Sequence, residues 1–173
     1  MIISSIKSEY LRYKKLGEGA IKQTPENGVN KLIGDDNNSI SVIAVHIAGN
    51  LNSRFTDFLI TDGEKPWRKR DAEFEERNLT KSELLQLWDD GWVVLFTTLD
   101  DLSDDDLDKT ITIREKELTV ADALHRSLAH VSYHVGQIVY IARMIVGKEW
   151  KSLSILRSGS NANNQNPDKE KGA

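Results

Sequence analysis

The chain has 173 residues, a formal net charge of −4 and no cysteine. That length favours one domain with its own buried core, and the missing thiols exclude disulfides, thiolate metal ligands and a cysteine nucleophile. An acidic balance without a basic stripe argues against nucleic acid; no apolar run is long enough for a bilayer and no secretory leader is visible, so the expectation is a cytoplasmic protein without membrane contact.

Residues 2–22 place Ile2, Ile3, Ile6, Tyr10, Leu11 and Ile21 near the helical period, which predicts a first helix. Residues 24–38 contain Pro, Asn-Gly and Gly-Asp and read as a loop. A second helix is expected from about 39 to 61. Asn38 or Ser39 is its N-cap and Gly63 lies just past its end. On it, Ile40, Ile43, Ala44, Ile47, Leu51, Phe55 and Phe58 share one arc, with His46 and Asn50 on the shoulder and Arg54 inside the edge. An arginine in that position is a structural ion-pair partner or an anion-binding group, and the structural role is the simpler reading.

Residues 62–79 form a long connection, which Trp67 and Phe74 are expected to tie down. Within it, KPWRKR (65–70) is basic but is followed at once by DAEFEE. It reads as a solvated mixed-charge loop in preference to a phosphate site. Thr80 and Glu83 make a capping box for a third helix over 80–99, with Leu84, Leu87, Trp88, Trp92, Leu95 and Leu99 as its stripe. Gly91 lies on the same side, where a neighbouring helix can come close. SDDDLD (103–108) lacks the spacing, glycine and final glutamate of a calcium loop and reads as a solvated turn. KTITIREKELTV (109–120) alternates β-branched and polar residues, which predicts a hairpin turning near Glu115-Lys116.

The fourth helix runs from the N-cap Thr119 to a stop at Gly147. His130 and His134, at i and i+4, lie one above the other on a single face beside its apolar stripe. His125 points away. On the far side lie Ala129, Tyr133, Gly136 and Tyr140, too uncharged for an ordinary solvent face. They are expected to pack against another helix or a second copy of the chain. Residues 158–173 are polar and aperiodic and are expected to be a disordered tail, leaving residues 1–157 as the folded unit.

A lone i,i+4 histidine pair arises readily by chance, and a hydrogen-bonded role explains one as well as a metal does. Two features favour the metal. His46 occupies the matching shoulder of the second helix, and an unpaired imidazole beside a strongly apolar stripe is poorly solvated. A divalent cation bound by His46, His130 and His134 resolves that, because neutral imidazole is the commonest metal ligand.

HIAGNLNSRFTDFLITDGEKPWRKRDAEF (46–74) followed by HVSYHVGQIVY (130–140) resembles the DinB/YfiT-like superfamily, and within it an uncharacterised bacterial branch. The resemblance covers residues 1–157. It implies an all-α, up-down-down-up four-helix bundle with a long connection between the second and third helices. It also implies Ni²⁺ or Zn²⁺ on the three histidines at one end of the bundle, and a homodimer. Relatives include thiol S-transferases and an isomerase that use a low-molecular-weight thiol, and metal-dependent hydrolases. This branch has no settled activity, so the resemblance carries fold and metal and leaves a metal-dependent transferase or hydrolase acting on a small molecule as one expectation.

Three histidines leave a coordination position open. A metal there can supply hydroxide for hydrolysis or activate a bound thiol. No Glu or Asp lies one helical turn from any of the three, so no general base can be named, which favours the thiol. Asn50 and Gln137 are candidates to orient a ligand or a histidine, and Arg54 to recognise a carboxylate. The competing class is a non-catalytic, stress-related binding bundle. Histidine ligation predicts that metal affinity falls as pH drops through about 6.

Overall fold

The apolar periodicity resolves into four helices: α1 (Ile2–Gln23), α2 (Ile40–Phe55), α3 (Lys81–Asp101) and α4 (Val120–Val146). A two-stranded antiparallel hairpin, β1 (Thr110–Ile113) and β2 (Lys116–Thr119), precedes α4. This computed structural model describes residues 1–35 and 37–154. The expected tail, 158–173, lies outside them.

Contacts between helices set their directions. The Tyr10 hydroxyl donates to the Leu124 carbonyl at 3.1 Å, and at the other ends Gln23 Nε2 donates to the Lys151 carbonyl at 2.9 Å, so α1 and α4 are parallel. Lys14 pairs with Asp89 at 2.5 Å, and the Lys81 amide donates to Glu26 at the far end of α1, so α3 runs against α1. Gly91 sits on Ala48 and the Thr98 hydroxyl caps the Phe55 carbonyl at 2.8 Å, so α2 and α3 are parallel. The order is therefore up-down-down-up, an all-α bundle with a long connection between α2 and α3. No helix among the described residues is long and apolar enough to cross a membrane.

The core is continuous through all four helices, with Tyr10, Ile47, Leu51, Trp88, Trp92, Leu95 and Leu124 almost wholly buried. Burying each such side chain stabilises the fold by about 1.5–3 kcal/mol before entropy is charged against it. Helix ends follow their caps. The Thr80 and Glu83 side chains make the predicted capping box of α3, and the Thr119 hydroxyl accepts from the Asp122 amide at 3.0 Å to start α4. The acidic turn before the hairpin is used for capping: Asp104 accepts from the amides of Ile2 and Ile3 at the start of α1, and Asp106 from Ser103.

Two expectations shift. α2 ends at Phe55, not near 61, because Thr56 turns extended and Asp57 adopts a left-handed φ of 49°. Phe58 is still buried, which extends the apolar period past the true helix end. Gly63 is therefore no helix stop. It lies against Ile113 and Arg54, and its amide donates to the Thr112 carbonyl at 2.8 Å. The hairpin also turns one residue earlier than expected, at Arg114-Glu115, with φ of 55° and 62°. Two positive φ values match the favoured two-residue hairpin turn but are costly for side chains larger than glycine. Asp62 offsets that cost by accepting from both turn amides, at 2.9 and 2.8 Å. The connection after α2 is thereby fastened to the hairpin, and between them they form one wall of a cleft.

Candidate metal centre

His46 projects from the middle of α2, and His130 and His134 from successive turns of α4. The bundle brings all three together. One ligand nitrogen from each lies within 4.8 Å of the others. The Nε2 atoms of His46 and His130 are 3.2 Å apart. Four-coordinate zinc with Zn–N bonds of about 2.0–2.1 Å holds its nitrogens roughly 3.3 Å apart, so this pair needs little adjustment. The rings meet edge to face, at 71–84°.

The outer nitrogens show why Nε2 faces inward. His46 Nδ1 is 2.8 Å from Glu73 Oε2. Burial alone would raise the Glu73 carboxyl, but hydrogen bonds from His46 and Arg68 outweigh it and hold the group below its ordinary value. A carboxylate can only accept, so the proton is on His46 Nδ1 and the Nε2 lone pair is free. Likewise, His134 Nδ1 is 2.8 Å from Gln137 Oε1, which leaves its Nε2 free. His130 Nδ1 is buried without a partner. The His46 and His134 Nε2 lone pairs thus point inward, and in the metal-free chain a proton on His130 Nε2 can bridge the 3.2 Å to the His46 lone pair; a cation takes the place of that proton. The donor set suits a borderline divalent metal.

Electrostatics keep the two α4 rings neutral. Burial pushes His130 down to about 4, with help from the neighbouring His134 and His46 and from the positive charges of Arg68 and Arg54. Burial lowers His134 as well, against the hydrogen bond to Gln137. Neutral imidazole is the ligating form. Loss of metal affinity through protonation therefore belongs at a lower pH than the ordinary histidine value suggests.

Sequence reasoning missed two residues at the centre. Glu73 bonds His46 from 27 positions away and is 7% exposed. Arg68 holds Glu73 through Nε and Nη2, at 2.8 and 2.9 Å, with its side chain 2% exposed. Gly49 was the available signal. It stands three residues after His46 on the same helix face, and a Cβ there would run into the Glu73 carboxylate. KPWRKR is solvated at Pro66, Trp67, Lys69 and Arg70, but Lys65 and the Arg68 side chain are buried. Phe74 packs on the His46 ring with centroids 4.6 Å apart, whereas Trp67 is exposed and ties nothing down.

Of the other sequence candidates, Gln137 touches the triad. Arg54 donates to Glu64 at 3.1 Å and to the Gly63 carbonyl. Asn50 and Arg54 line a cleft of about 520 Å³ that opens beside His46 and His130. Tyr133 and Tyr140 are exposed, the Tyr133 ring lying against His134 with centroids 4.3 Å apart, and nothing lies within 4 Å of a Cβ placed at Gly136, so among the described residues no other helix covers that face of α4.

The family model described as "Protein of unknown function (DUF1572)" matches residues 1–159, and the chain belongs to that family. No curated protein and no solved structure matches it.

Proposed function

For a member of this family with this geometry, we propose a DinB-like, metal-dependent enzyme in which Nε2 of His46, His130 and His134 bind one divalent cation, Ni²⁺ or Zn²⁺. The observation that carries the reading is the pinning of two outer nitrogens: Glu73 and Gln137 turn His46 and His134 so that their free lone pairs face the third ring. Carboxylate–histidine–metal relays have this form, and such partners fix the ring tautomer and raise ligand basicity. When bound, the cation supplies Lewis acidity at its remaining positions and lowers the pKa of a thiol or water there.

Activation of a small thiol for transfer to an electrophile fits these residues better than hydrolysis. Glu73 is the carboxylate bonded to a triad ring, and both its oxygens are taken, by His46 and by Arg68. It orients His46 and is poorly placed to accept a proton from water. A thiol bound as thiolate loses its proton on binding and needs no such base during the attack. Asn50, next to His46 along the cleft, is suited to position the electrophile, and Gln137 to hold His134. The uncovered face of α4 around Tyr133, Gly136 and Tyr140 suits a second copy of the chain. A cytoplasmic location would supply reduced thiol.

The test is metal analysis of the chain purified without a histidine tag, alongside His134→Ala, followed by turnover assays with thiol–electrophile pairs and with esters and amides. Near-stoichiometric Ni²⁺ or Zn²⁺ that His134→Ala abolishes, with turnover of a thiol–electrophile pair, is the expected result. Turnover of esters or amides alone would favour hydrolysis. Bound metal with no turnover would favour the non-catalytic binding bundle, and no metal would remove the proposal.

A further inference from the structure

The cleft beside the triad is strongly basic, in a chain that is acidic overall. Six cations line it: Arg54, Arg68, Arg70, Arg114, Lys116 and Arg126. They come from four separate parts of the fold, namely α2, the connection, the hairpin and α4. Their neutralisation is incomplete. Glu64 takes Arg54 and Arg114 and approaches Arg68 Nη1 to 3.8 Å, too far for a hydrogen bond; Glu73 takes Arg68, and Asp71 approaches Arg70 only to 3.7 Å. Among the described residues, Lys116 and Arg126 have no carboxylate within ion-pair distance. Glu117 is the one acidic residue in the lining itself. Counting Glu64, Glu73, Asp71 and Glu117 against the six cations leaves two positive charges over.

A second observation is independent of that count. The Arg68 side chain is 2% exposed, yet its Nη1 has no hydrogen-bond partner. Buried donors are seldom left unpaired, because each costs its full desolvation penalty, and more so for a charged group. Arg77 Nε, Trp88 Nε1 and Trp92 Nε1 are unpaired as well, away from the cleft; Arg68 Nη1 is the charged donor among these atoms that belongs to the cleft lining. The same positive field works against a dication on the triad, and an anion in the cleft relieves it.

We propose that this cleft binds a small dianion, a phosphate monoester or a dicarboxylate, which Arg68 and Arg126 recognise through guanidinium–oxygen pairs and Lys116 through its ammonium. Arg126 presents a planar fork that matches either oxyanion, and Arg68, whose Nε and Nη2 hold Glu73, adds a single contact through Nη1. The anion site stands on the cleft's own charges. That the anion is the substrate's anchor, with its reacting end toward the histidines, rests on the metal reading above.

The experiment is calorimetric titration of the metal-free full chain with inorganic phosphate, phenyl phosphate and malonate at low and moderate salt. Saturable binding that weakens with salt and drops about tenfold in Arg126→Gln and again in Lys116→Gln is expected, one charge-assisted contact being worth roughly that factor. Lys148→Gln makes the same charge change past the other end of α4 and is expected to leave binding unchanged. Phosphates binding tighter than malonate would identify a phosphorylated ligand, and the reverse a dicarboxylate. No binding of any of the three, or equal loss in Lys148→Gln, would overturn the proposal. Titrating the metal-free chain first, and again after adding Ni²⁺ or Zn²⁺, separates it from the metal reading. Anion binding to the metal-free chain stands even if no metal is ever found, whereas binding seen only with metal present would make the anion a metal ligand and refute the cleft site.

Discussion

α2 makes two seams of opposite character. Against α3 it packs backbone to backbone: Gly91 rests on Ala48 and Thr98 caps the helix end, while Trp88 and Trp92 of α3 lie against Gly17 and Tyr10 of α1. Against α4 it is held by three imidazoles, a buried carboxylate and an arginine, with a cleft alongside. The first seam is what close packing looks like when stability alone is at stake. The second turns two imidazole lone pairs inward and buries a carboxylate held by an arginine, an arrangement that stability alone does not favour. Stored cost of this sort concentrates where a protein binds or reacts. The two seams share one helix, so changes in each should separate stability from ligand binding.

The largest effect is expected in the apolar core on α3. Trp92→Ala should lower unfolding free energy by about 3–5 kcal/mol, read by denaturant titration, while the folded fraction still binds metal at the wild-type ratio. If metal is lost in proportion to nothing but the ligand seam, the separation fails. His134→Ala should do the reverse, reducing metal affinity by at least about 100-fold with little change in metal-free stability. His130→Leu sharpens the point. It removes an unpaired buried nitrogen, so the metal-free chain should be unchanged or more stable by about 1 kcal/mol even as metal binding disappears.

Smaller changes test the support. Glu73→Gln keeps a hydrogen-bond acceptor for His46 but loses the charge, and should weaken metal binding by about 10-fold or more. A competitive chelator titration measures it, and an unchanged affinity would mean that Glu73 merely fills space. Proton linkage gives the most gradual effect. The folded chain holds His130 near 4, against an ordinary value of 6.5, and lowers His134 in the same direction. Between those values the unfolded chain binds protons that the folded rings refuse. Metal-free stability from this source is therefore complete above about pH 6.5 and declines as pH falls toward about 4. Denaturant midpoints in the presence of chelator should show that decline, and His130→Leu should flatten it.

Sequence alone determined what a short-range period can encode. Four helices, the Thr80–Glu83 box, the starts at Ser39 and Thr119, the stop at Gly147 and the pairing of His130 with His134 all follow from spacings of three, four or two residues. His46 was also legible, as the histidine on the matching shoulder of α2. What lay beyond was set by contacts that have no period. Phe58, buried by a turn and not by a helix, carried the apparent α2 too far. Glu73 and Arg68 reach the triad because an irregular connection, fastened to the hairpin by Asp62, folds back over Gly49. The basic cleft is likewise invisible in a net charge of −4, since its cations come from positions 54 to 126 and gather only when α2, the hairpin and α4 meet. Local spacing fixes which face a side chain is on, but only the packed chain decides what that face meets.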